Sequence, residues 1–248
     1  MSMLGRPEPV LQGQTVLVIG GSSGIGLETA RQARAEGAEL ILTARDPERL
    51  AAAASKIGPR STSAFDAHDP AALDAFFDAL AGPVDQVMVT AGRPHYARLA
   101  DLDLEEARQG IAASAMLMIG TARRAVDAVR PGGTIIFMSG TGARRPGIGL
   151  SVISAVTAAL PALTANLALE IAPVRVNLIA AGFVDTALSA ELLGEQLDSR
   201  REQLTKTLPI GRVVRADDVA ALAVHLMANT ALTGATYDID GGQQLLPR

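Results

Sequence analysis

A short apolar run followed at once by glycines is the feature that most restricts how this chain folds. Residues 15–26 read TVLVIGGSSGIG, and Val16–Ile19 is apolar at every position, as in a strand buried on both faces of a sheet. A helical pattern begins at Ile25. A strand, a glycine-rich turn and a helix N-terminus in this order form a phosphate cradle, because backbone N–H groups and the helix dipole favour an anion. The alternative is an ordinary tight turn between a strand and a helix.

The glycine spacing resembles the cofactor turn of the short-chain dehydrogenase/reductase family, written T-G-x-x-x-G-I-G, with Ile19 in place of the threonine. The resemblance extends from Gly13 to Gly242. It implies one nucleotide-binding domain over residues 1–248, with an α/β fold of the Rossmann type. This fold is a doubly wound parallel sheet of about seven strands with helices on both faces. The family also implies a nicotinamide cofactor and a small-molecule substrate.

The hydrophobic pattern of the chain independently alternates strands with helices. Such alternation favours a parallel sheet with helices on both faces. After the first strand, the predicted strands are 40–43, 61–65, 84–90, 134–139, 174–180 and 235–239. The predicted helices include 103–129, 150–172 and 216–228, with helical loop material over 187–207. Pro161 is expected to bend the helix at 150–172, unless that helix begins only at Pro161.

By the same resemblance, residues that follow five of the strands hold the cofactor. They are Gly20, Ser22, Ser23 and Ile25 after the first strand, Arg45 after the second, Asp66 and Ala67 after the third, Ala91 and Gly92 after the fourth, and Gly182, Val184 and Thr186 after the sixth. The chain departs from the family pattern at two nearby positions, where Thr90 replaces an asparagine and Ala181 replaces a proline.

The residues after the second strand predict which nicotinamide cofactor binds. In doubly wound folds an acid there hydrogen-bonds the free ribose hydroxyl of NAD, whereas an arginine accommodates the 2′-phosphate of NADP. Ala44 stands where NAD-preferring relatives have aspartate, and Arg45 follows it. The sequence therefore predicts NADP (NADPH/NADP+). Alternatively, Arg45 pairs on the surface with Asp46 or Glu48, and Asp66 merely caps the turn that follows it.

The tyrosine and lysine with which the family usually transfers protons are missing. They lie four residues apart so that both project from one helix face. With residues 158–160 and 167–170 as the anchor of the resemblance, these positions hold Ile153 and Thr157, and no tyrosine or lysine lies on this predicted helix. The position of the family's serine falls at Gly140, directly after Ser139, and an insertion or deletion of one residue would make Ser139 the equivalent.

Three residues remain as candidates for the chemistry. Ser139 ends the fifth predicted strand, and His95 and Tyr96 lie in the loop that borders the substrate pocket in the family. Histidine and tyrosine side chains both transfer protons in enzymes. The alternative for His95 and Tyr96 is an exposed loop pair. Arg144 and Arg145 are interpreted as surface residues rather than as an anion clamp.

Composition limits the partners of the chain. The formal net charge of −4 and the scattered arginines give no sign of nucleic-acid binding, and no His, Asp and Glu spacing indicates a metal. The start lacks the apolar core of a signal peptide. The apolar stretches at 111–122 and 150–172 fall short of an uninterrupted membrane span of ~20 residues. We therefore expect a cytoplasmic protein with no membrane partner.

The helices predicted over 103–129 and 150–172 carry more apolar residues than one sheet face covers. The family commonly pairs these helices across a two-fold axis, and closed symmetry is the norm among oligomers. The sequence therefore predicts a homotetramer, with a dimer as the fallback.

The resemblance and the departures together predict NADP(H)-dependent oxidoreduction of a small carbonyl, imine or activated alkene, with an altered proton donor. Two alternatives belong to other classes of protein. One is a dinucleotide-binding protein without redox chemistry, such as a sensor or an assembly subunit, and the other is a non-redox enzyme on the same scaffold. The fold cannot choose among them, because function depends on the site.

Overall fold

A parallel sheet of seven strands, covered by helices on both faces, organises the computed structural model, which describes residues 9–246. The strands are β1 (Thr15–Ile19), β2 (Glu39–Ala44), β3 (Ser61–Ala64), β4 (Val84–Val89), β5 (Val129–Gly140), β6 (Arg175–Ala181), β7 (Val184–Asp185), β8 (Val214–Arg215) and β9 (Thr236–Ile239). The helices are α1 (Gly24–Ala35), α2 (Pro47–Ile57), α3 (Pro70–Asp78), α4 (Leu104–Ala128), α5 (Ser151–Glu170), α6 (Ala187–Leu193), α7 (Leu197–Thr207) and α8 (Ala216–Ala228).

The order of the strands creates a switch point between β1 and β4. The main sheet runs β3-β2-β1-β4-β5-β6-β9, and every neighbouring pair is parallel. From β1 the chain proceeds outward to β2 and β3 and then returns to β4 on the other side of β1. Ligands of open α/β sheets bind at the carboxyl ends of the strands at such a point. The predicted fold class, a single Rossmann-type α/β domain, is confirmed.

The apolar run of β1 is buried on both faces of the sheet, as the sequence predicts. Leu17 and Ile19 belong to a core cluster with residues of α3, α4 and α5, and neither is exposed. Val16 and Val18 belong to a second cluster with residues of α1, α2 and α8. Because both halves of the core pack against β1, the strand is held firmly, and so is the turn at its carboxyl end.

Helix α5 runs unbroken from Ser151–Glu170 with Pro161 inside it, so the alternative in which it begins at Pro161 is wrong. By length and composition alone, α5 is long and apolar enough to span a membrane. The sequence predicted that this stretch is too short for an uninterrupted span. Core helices meet the same criteria, and Leu160 and Leu167 of α5 lie in the core cluster beneath it. The helix covers the sheet beside α4.

Residues 187–207, predicted as helical loop material, form two helices, α6 and α7. A pair of two-residue strands, β7 and β8, flanks them and was not predicted. Two residues are too few for the alternating pattern by which a strand is recognised in a sequence. The observed β5 also begins five residues before the predicted strand, since Val129 already pairs with Val84.

Candidate functional site

The glycine turn after β1 is packed too tightly for side chains. Gly20 has φ +98°, and a Cβ there would lie 2.6 Å from Thr90 Oγ1. A Cβ on Gly26 would lie 2.3 Å from the carbonyl oxygen of Gly20. Thr90 Oγ1 donates a hydrogen bond of 3.0 Å to that same carbonyl. Thr90, which replaces the family's asparagine, thus fastens the turn to the end of β4, and α1 begins directly at the switch point.

Helix α1 differs from α2, α3 and α4 because no side chain caps its first turn. Asp46, Asp69 and Asp103 cap α2, α3 and α4, and each accepts hydrogen bonds from two backbone N–H groups. Ser23, at the corresponding position of α1, makes no such bond, and the first turn of α1 contains no acidic residue. The backbone N–H groups and the positive end of the helix dipole therefore remain for an anion.

Arg45 and Asp66 stand side by side at the ends of β2 and β3. Arg45 is exposed and forms no ion pair within residues 9–246, since Asp46 pairs with Arg49 at 3.2 Å instead. The backbone N–H of His68 donates to Asp66 Oδ1 at 3.0 Å, so Asp66 does cap its turn. This hydrogen bond lowers the pKa of Asp66, and the nearby charge of Arg45 acts in the same direction. The surface pairing of Arg45 with Asp46 is therefore not observed.

The loop after β6 meets the glycine turn. A Cβ on Gly24 would lie 3.7 Å from two carbon atoms of Thr186. Thr186 caps α6, since its hydroxyl accepts a hydrogen bond from the N–H of Ser189. Ala181, in place of the family's proline, remains in β6, where its carbonyl accepts from the N–H of Thr141 at 3.1 Å. The loop is therefore held by backbone hydrogen bonds rather than by a proline ring.

The remaining residues predicted to hold a cofactor lie along the same edge of the sheet. The N–H of Ala91 donates to the carbonyl of Ile19 at 3.2 Å, which ties the end of β4 to the end of β1. The other predicted positions on this edge are Ser22, Ile25, Ala67, Gly92, Gly182 and Val184.

No group of three or more His, Cys, Asp and Glu side chains on the described part of the chain is placed to hold a metal ion.

The positions of the family's tyrosine and lysine carry structural contacts in this chain. A Cβ on Gly142 would lie 3.7 Å from Cγ2 of Ile153, so that side chain packs on the loop after β5. Thr157 is buried, accepts a hydrogen bond of 2.9 Å from the N–H of Ala143 and donates one of 2.8 Å to the carbonyl of Ile153. Ser154 Oγ donates to the carbonyl of Gly142 at 3.2 Å. These residues fasten the loop to α5, a role that sequence reasoning missed.

Two of the three candidates for the chemistry carry a buried polar atom without a hydrogen-bond partner among the described residues. These atoms are Ser139 Oγ and His95 Nε2. His95 packs on α4, since a Cβ on Gly110 would lie 3.4 Å from the Cβ of His95, and the same point is 3.7 Å from Cγ1 of Val152 in α5. Because β4 and β5 are parallel neighbours, Ser139 and His95 lie at the same edge of the sheet. Tyr96 is 52% exposed, and partial burial raises its pKa.

The loop after β5 is also tied to the C-terminal segment. Arg144 pairs with Asp238, and Arg145 Nη1 donates to the carbonyl of Gln243 at 3.1 Å. The side chain of Gln243 accepts from the N–H of Phe183 at 3.0 Å, within the predicted cofactor loop. Gln243 was not among the predicted site residues. Its position directly after the Asp-Gly-Gly signature of the family is the only sequence signal for it.

These features define the structural class of the protein, which is a Rossmann-type α/β domain with a glycine turn at the switch point of its sheet. The sequence model of a family described as Enoyl-(Acyl carrier protein) reductase matches residues 19–244. The short-chain dehydrogenase/reductase ATR9 of Stachybotrys chlorohalonatus is 31% identical, over 94% of this chain and 98% of its own length. The chain belongs to the short-chain dehydrogenase/reductase family, an oxidoreductase family that binds nicotinamide cofactors.

The descriptions of two further relatives name a cofactor. The NADP-dependent (R)-specific alcohol dehydrogenase of Lentilactobacillus kefiri is 30% identical, over 94% of this chain and 97% of its own length. The crystal structure of a small-chain dehydrogenase in complex with NADPH is 26% identical, with a TM-score of 0.80. It covers 94% of this chain and 99% of that protein. The similarity therefore spans almost the whole length of each protein.

Proposed function

We propose that this protein is an NADP(H)-dependent oxidoreductase that acts on a small carbonyl, imine or activated alkene with a proton donor other than the family's tyrosine. The observation that carries the proposal is the pair of buried polar atoms without partners, Ser139 Oγ and His95 Nε2, at one edge of the sheet. Buried polar groups are nearly always hydrogen-bonded, and a bound substrate would supply the partner that these two atoms lack. A turnover screen of ketones, imines and enones with NADPH tests the proposal.

The residues at the switch point fit a dinucleotide phosphate. The contacts of Gly20 and Gly26 hold the turn against the end of β4, and the uncapped N-terminus of α1 offers its backbone N–H groups to an anion. Arg45 offers charged donors to a 2′-phosphate at the end of β2. The relative from Lentilactobacillus kefiri is described as NADP-dependent, and the 26% identical structure holds NADPH. Bound NADPH supplies a hydride.

The residues of this chain must then manage the proton. The substrate atom that gains electrons needs a proton or strong hydrogen bonds in the transition state. Ser139 offers a hydroxyl donor, and a protonated His95 ring carries a proton at Nε2. Ile153 has no proton to give, and the Thr157 hydroxyl already donates to a backbone carbonyl.

Two chemical routes are compatible with these residues. In the first, His95 or Tyr96 donates the proton while Ser139 orients the substrate oxygen. In the second, the substrate is a cationic iminium or an activated alkene that needs no protein donor. The first route is the stronger proposal, because the buried Nε2 of His95 has no other partner within residues 9–246.

A dinucleotide-binding protein without redox chemistry is the second candidate function. The observation that favours it is the pair Ile153 and Thr157, both of which serve to hold the loop after β5. Calorimetric binding of NADPH, combined with no NADPH consumption across the substrate screen, is the result that supports this candidate over the first.

Cofactor preference depends on Arg45 in this proposal. NADPH is expected to bind at least about tenfold more tightly than NADH, because a hydrogen bond to a charged group contributes roughly 1.5–3 kcal/mol. Arg45→Ala is expected to remove most of this difference in a calorimetric titration. Arg49→Ala is the matched control, since Arg49 is exposed nearby but pairs with Asp46, and it should keep the preference. Equal affinities of the wild type for the two cofactors contradict the proposal.

The proposed assembly is a homotetramer, or a dimer, formed through α4 and α5. Several of the apolar residues behind this prediction lie in the core instead, namely Leu117, Met118, Leu160 and Leu167. An apolar surface nevertheless remains, since Ile111, Met116 and Leu169 are 47%, 56% and 80% exposed. The other proposed partner is a small-molecule substrate, and the proposed location is the cytoplasm.

Light scattering at micromolar concentration is expected to give four times, or twice, the chain mass of 25.6 kDa. Met116→Glu should shift the mass towards the monomer, because it places a charge on the proposed interface. Val10→Glu, at an exposed apolar residue far from both helices in the sequence, should leave the mass unchanged. A wild-type monomer rules out the tetramer and the dimer alike.

A further inference from the structure

A second concave surface lies between the loop after β5, helix α7 and the C-terminal segment. It is a cavity of about 390 Å³, lined by Arg145, Arg200, Gln203, Leu204, Thr207 and Leu246. The sequence interpretation of Arg144 and Arg145 as surface residues therefore holds only for Arg144, which is exposed and pairs with Asp238. Arg145 is half-buried and lines the cavity. We call this surface the arginine cavity.

The two arginines of the arginine cavity concentrate positive charge. Arg200 Nη1 donates to the neutral Oε1 of Gln203 at 2.8 Å, and Arg200 forms no ion pair within residues 9–246. Arg145 donates to the carbonyl of Gln243 at 3.1 Å. Burial, and after it the charge of Arg145, lowers the pKa of Arg200. An arginine remains protonated at physiological pH, so Arg200 keeps its charge.

The arginine cavity adjoins the predicted nicotinamide loop rather than the ribose end of the cofactor site. Gln243 joins the two, since its carbonyl accepts from Arg145 and its side chain accepts from the N–H of Phe183. Arg45 follows β2, on the opposite half of the sheet from β5, β6 and β9. The cavity is therefore separate from the position proposed for the 2′-phosphate and close to the position proposed for the substrate.

We propose that the arginine cavity binds an anionic oxygen group, a carboxylate or a phosphate, on the substrate. Planar guanidinium groups match the geometry of both anions and bind them with two parallel hydrogen bonds. Leu204 and Leu246 offer apolar contact to the short carbon chain that joins the anion to the reacting group. This inference rests on the proposed oxidoreductase function and names the substrate class for it.

Binding is tested without turnover, by calorimetric titration of inorganic phosphate and of glutarate into the full chain saturated with NADPH. At least one probe should bind saturably, and Arg200→Gln should weaken it about tenfold or more, because a charge-assisted hydrogen bond is lost. Arg34→Gln is the matched control, since Arg34 is exposed on α1 and likewise donates to a neutral acceptor, the carbonyl of Ala38. It should leave the affinity unchanged.

A second variant keeps the test decisive if Arg200→Gln does not fold. Thr207→Glu places a carboxylate at an exposed position of the same cavity and should abolish anion binding by neutralising the arginines. Comparison of the phosphate and glutarate titrations identifies which anion the site prefers. The inference is wrong if neither probe binds saturably, or if Thr207→Glu and Arg200→Gln bind both probes as tightly as the wild type.

Turnover separates a failure of this inference from a failure of the proposed function. Oxo acids are compared with their methyl esters, and oxoalkyl phosphates with the corresponding alcohols, in the presence of NADPH. One anionic series should show a kcat/KM at least about tenfold above its neutral partners, with the advantage lost in Arg200→Gln through KM. Turnover of neutral compounds alone refutes the anion site and retains the oxidoreductase. If no compound is turned over, saturable anion binding that Arg200→Gln weakens retains the site alone.

Discussion

His95→Ala is expected to lower the turnover number for NADPH-dependent carbonyl reduction by about 10²–10⁴-fold, the usual contribution of general acid catalysis. The physical reason is that, of the two side chains proposed to transfer the proton, His95 is the one with a polar atom that is buried and unpaired on the described part of the chain. Tyr96→Phe is the comparison, because Tyr96 is the other proposed proton donor. The Tyr96 side chain lies next in the same loop but is 52% exposed, so its loss should change the rate little.

Ser139→Ala distinguishes orientation from proton transfer. The Ser139 hydroxyl is buried and has no partner within residues 9–246, so in the proposed site its hydrogen goes to the substrate oxygen. Removal of this donor should lower kcat without altering the shape of the pH profile. Ser154→Ala is a suitable comparison, because that hydroxyl already donates to the carbonyl of Gly142 and should affect loop stability rather than the pH profile.

The pH dependence of kcat identifies the donor. In the reductive direction the donor must be protonated, so the rate falls as pH rises past the point where the donor loses its proton. Burial raises the pKa of Tyr96, so a Tyr96 donor stays protonated through neutrality. With that donor, the fall would begin only at strongly alkaline pH.

The opposite results select the other proposals. If His95→Ala and Tyr96→Phe both keep near-normal rates, and the pH dependence follows the pKa of the substrate, the substrate needs no protein donor. If ketones, imines and enones all fail to oxidise NADPH while calorimetry shows that it binds, the non-redox candidate replaces both routes.

Local patterns in the sequence were sufficient to predict the elements around the cofactor turn. The apolar run of β1 has the composition of a doubly buried strand, and the Asp46-Pro47 and Asp69-Pro70 pairs carry the capping chemistry of α2 and α3. Each of these signals is contained within a few adjacent residues. The order of elements then follows from strand–helix alternation. For this reason the fold class was predictable without coordinates.

Contacts between distant segments were not predictable in the same way. The bond from Ala143 to Thr157 joins a loop to a helix, and its only trace in the sequence is a threonine where the family has lysine. The arginine cavity combines Arg145, Arg200 and Leu246, which no periodicity connects. That Ser139 Oγ and His95 Nε2 lack a hydrogen-bond partner likewise depends on the three-dimensional position of all the polar groups around them. The sequence predicted Ser139 and His95 as candidates for the chemistry, but it gave no reason to prefer His95 over Tyr96.

Gly26→Ala is expected to weaken NADPH binding about tenfold to a hundredfold while the protein still folds, because overpacking typically costs about 1–3 kcal/mol. The new Cβ would lie 2.3 Å from the carbonyl oxygen of Gly20 and 2.5 Å from Thr90 Oγ1. Neither atom can retreat freely, since Thr90 Oγ1 donates to that carbonyl at 3.0 Å. The glycine turn must therefore move away from β4, and the N–H groups of α1 move with it.

Gly82→Ala is the matched control, because a Cβ at that exposed position meets no heavy atom within 4 Å. Calorimetric titration with NADPH, together with denaturant unfolding of both variants and the wild type, separates lost affinity from lost stability. Gly82→Ala should match the wild type in both measurements. Normal NADPH affinity in a folded Gly26→Ala variant would mean that the turn is an ordinary connection between β1 and α1. The phosphates of the dinucleotide would then have to bind elsewhere, because the position of α1 would not affect them.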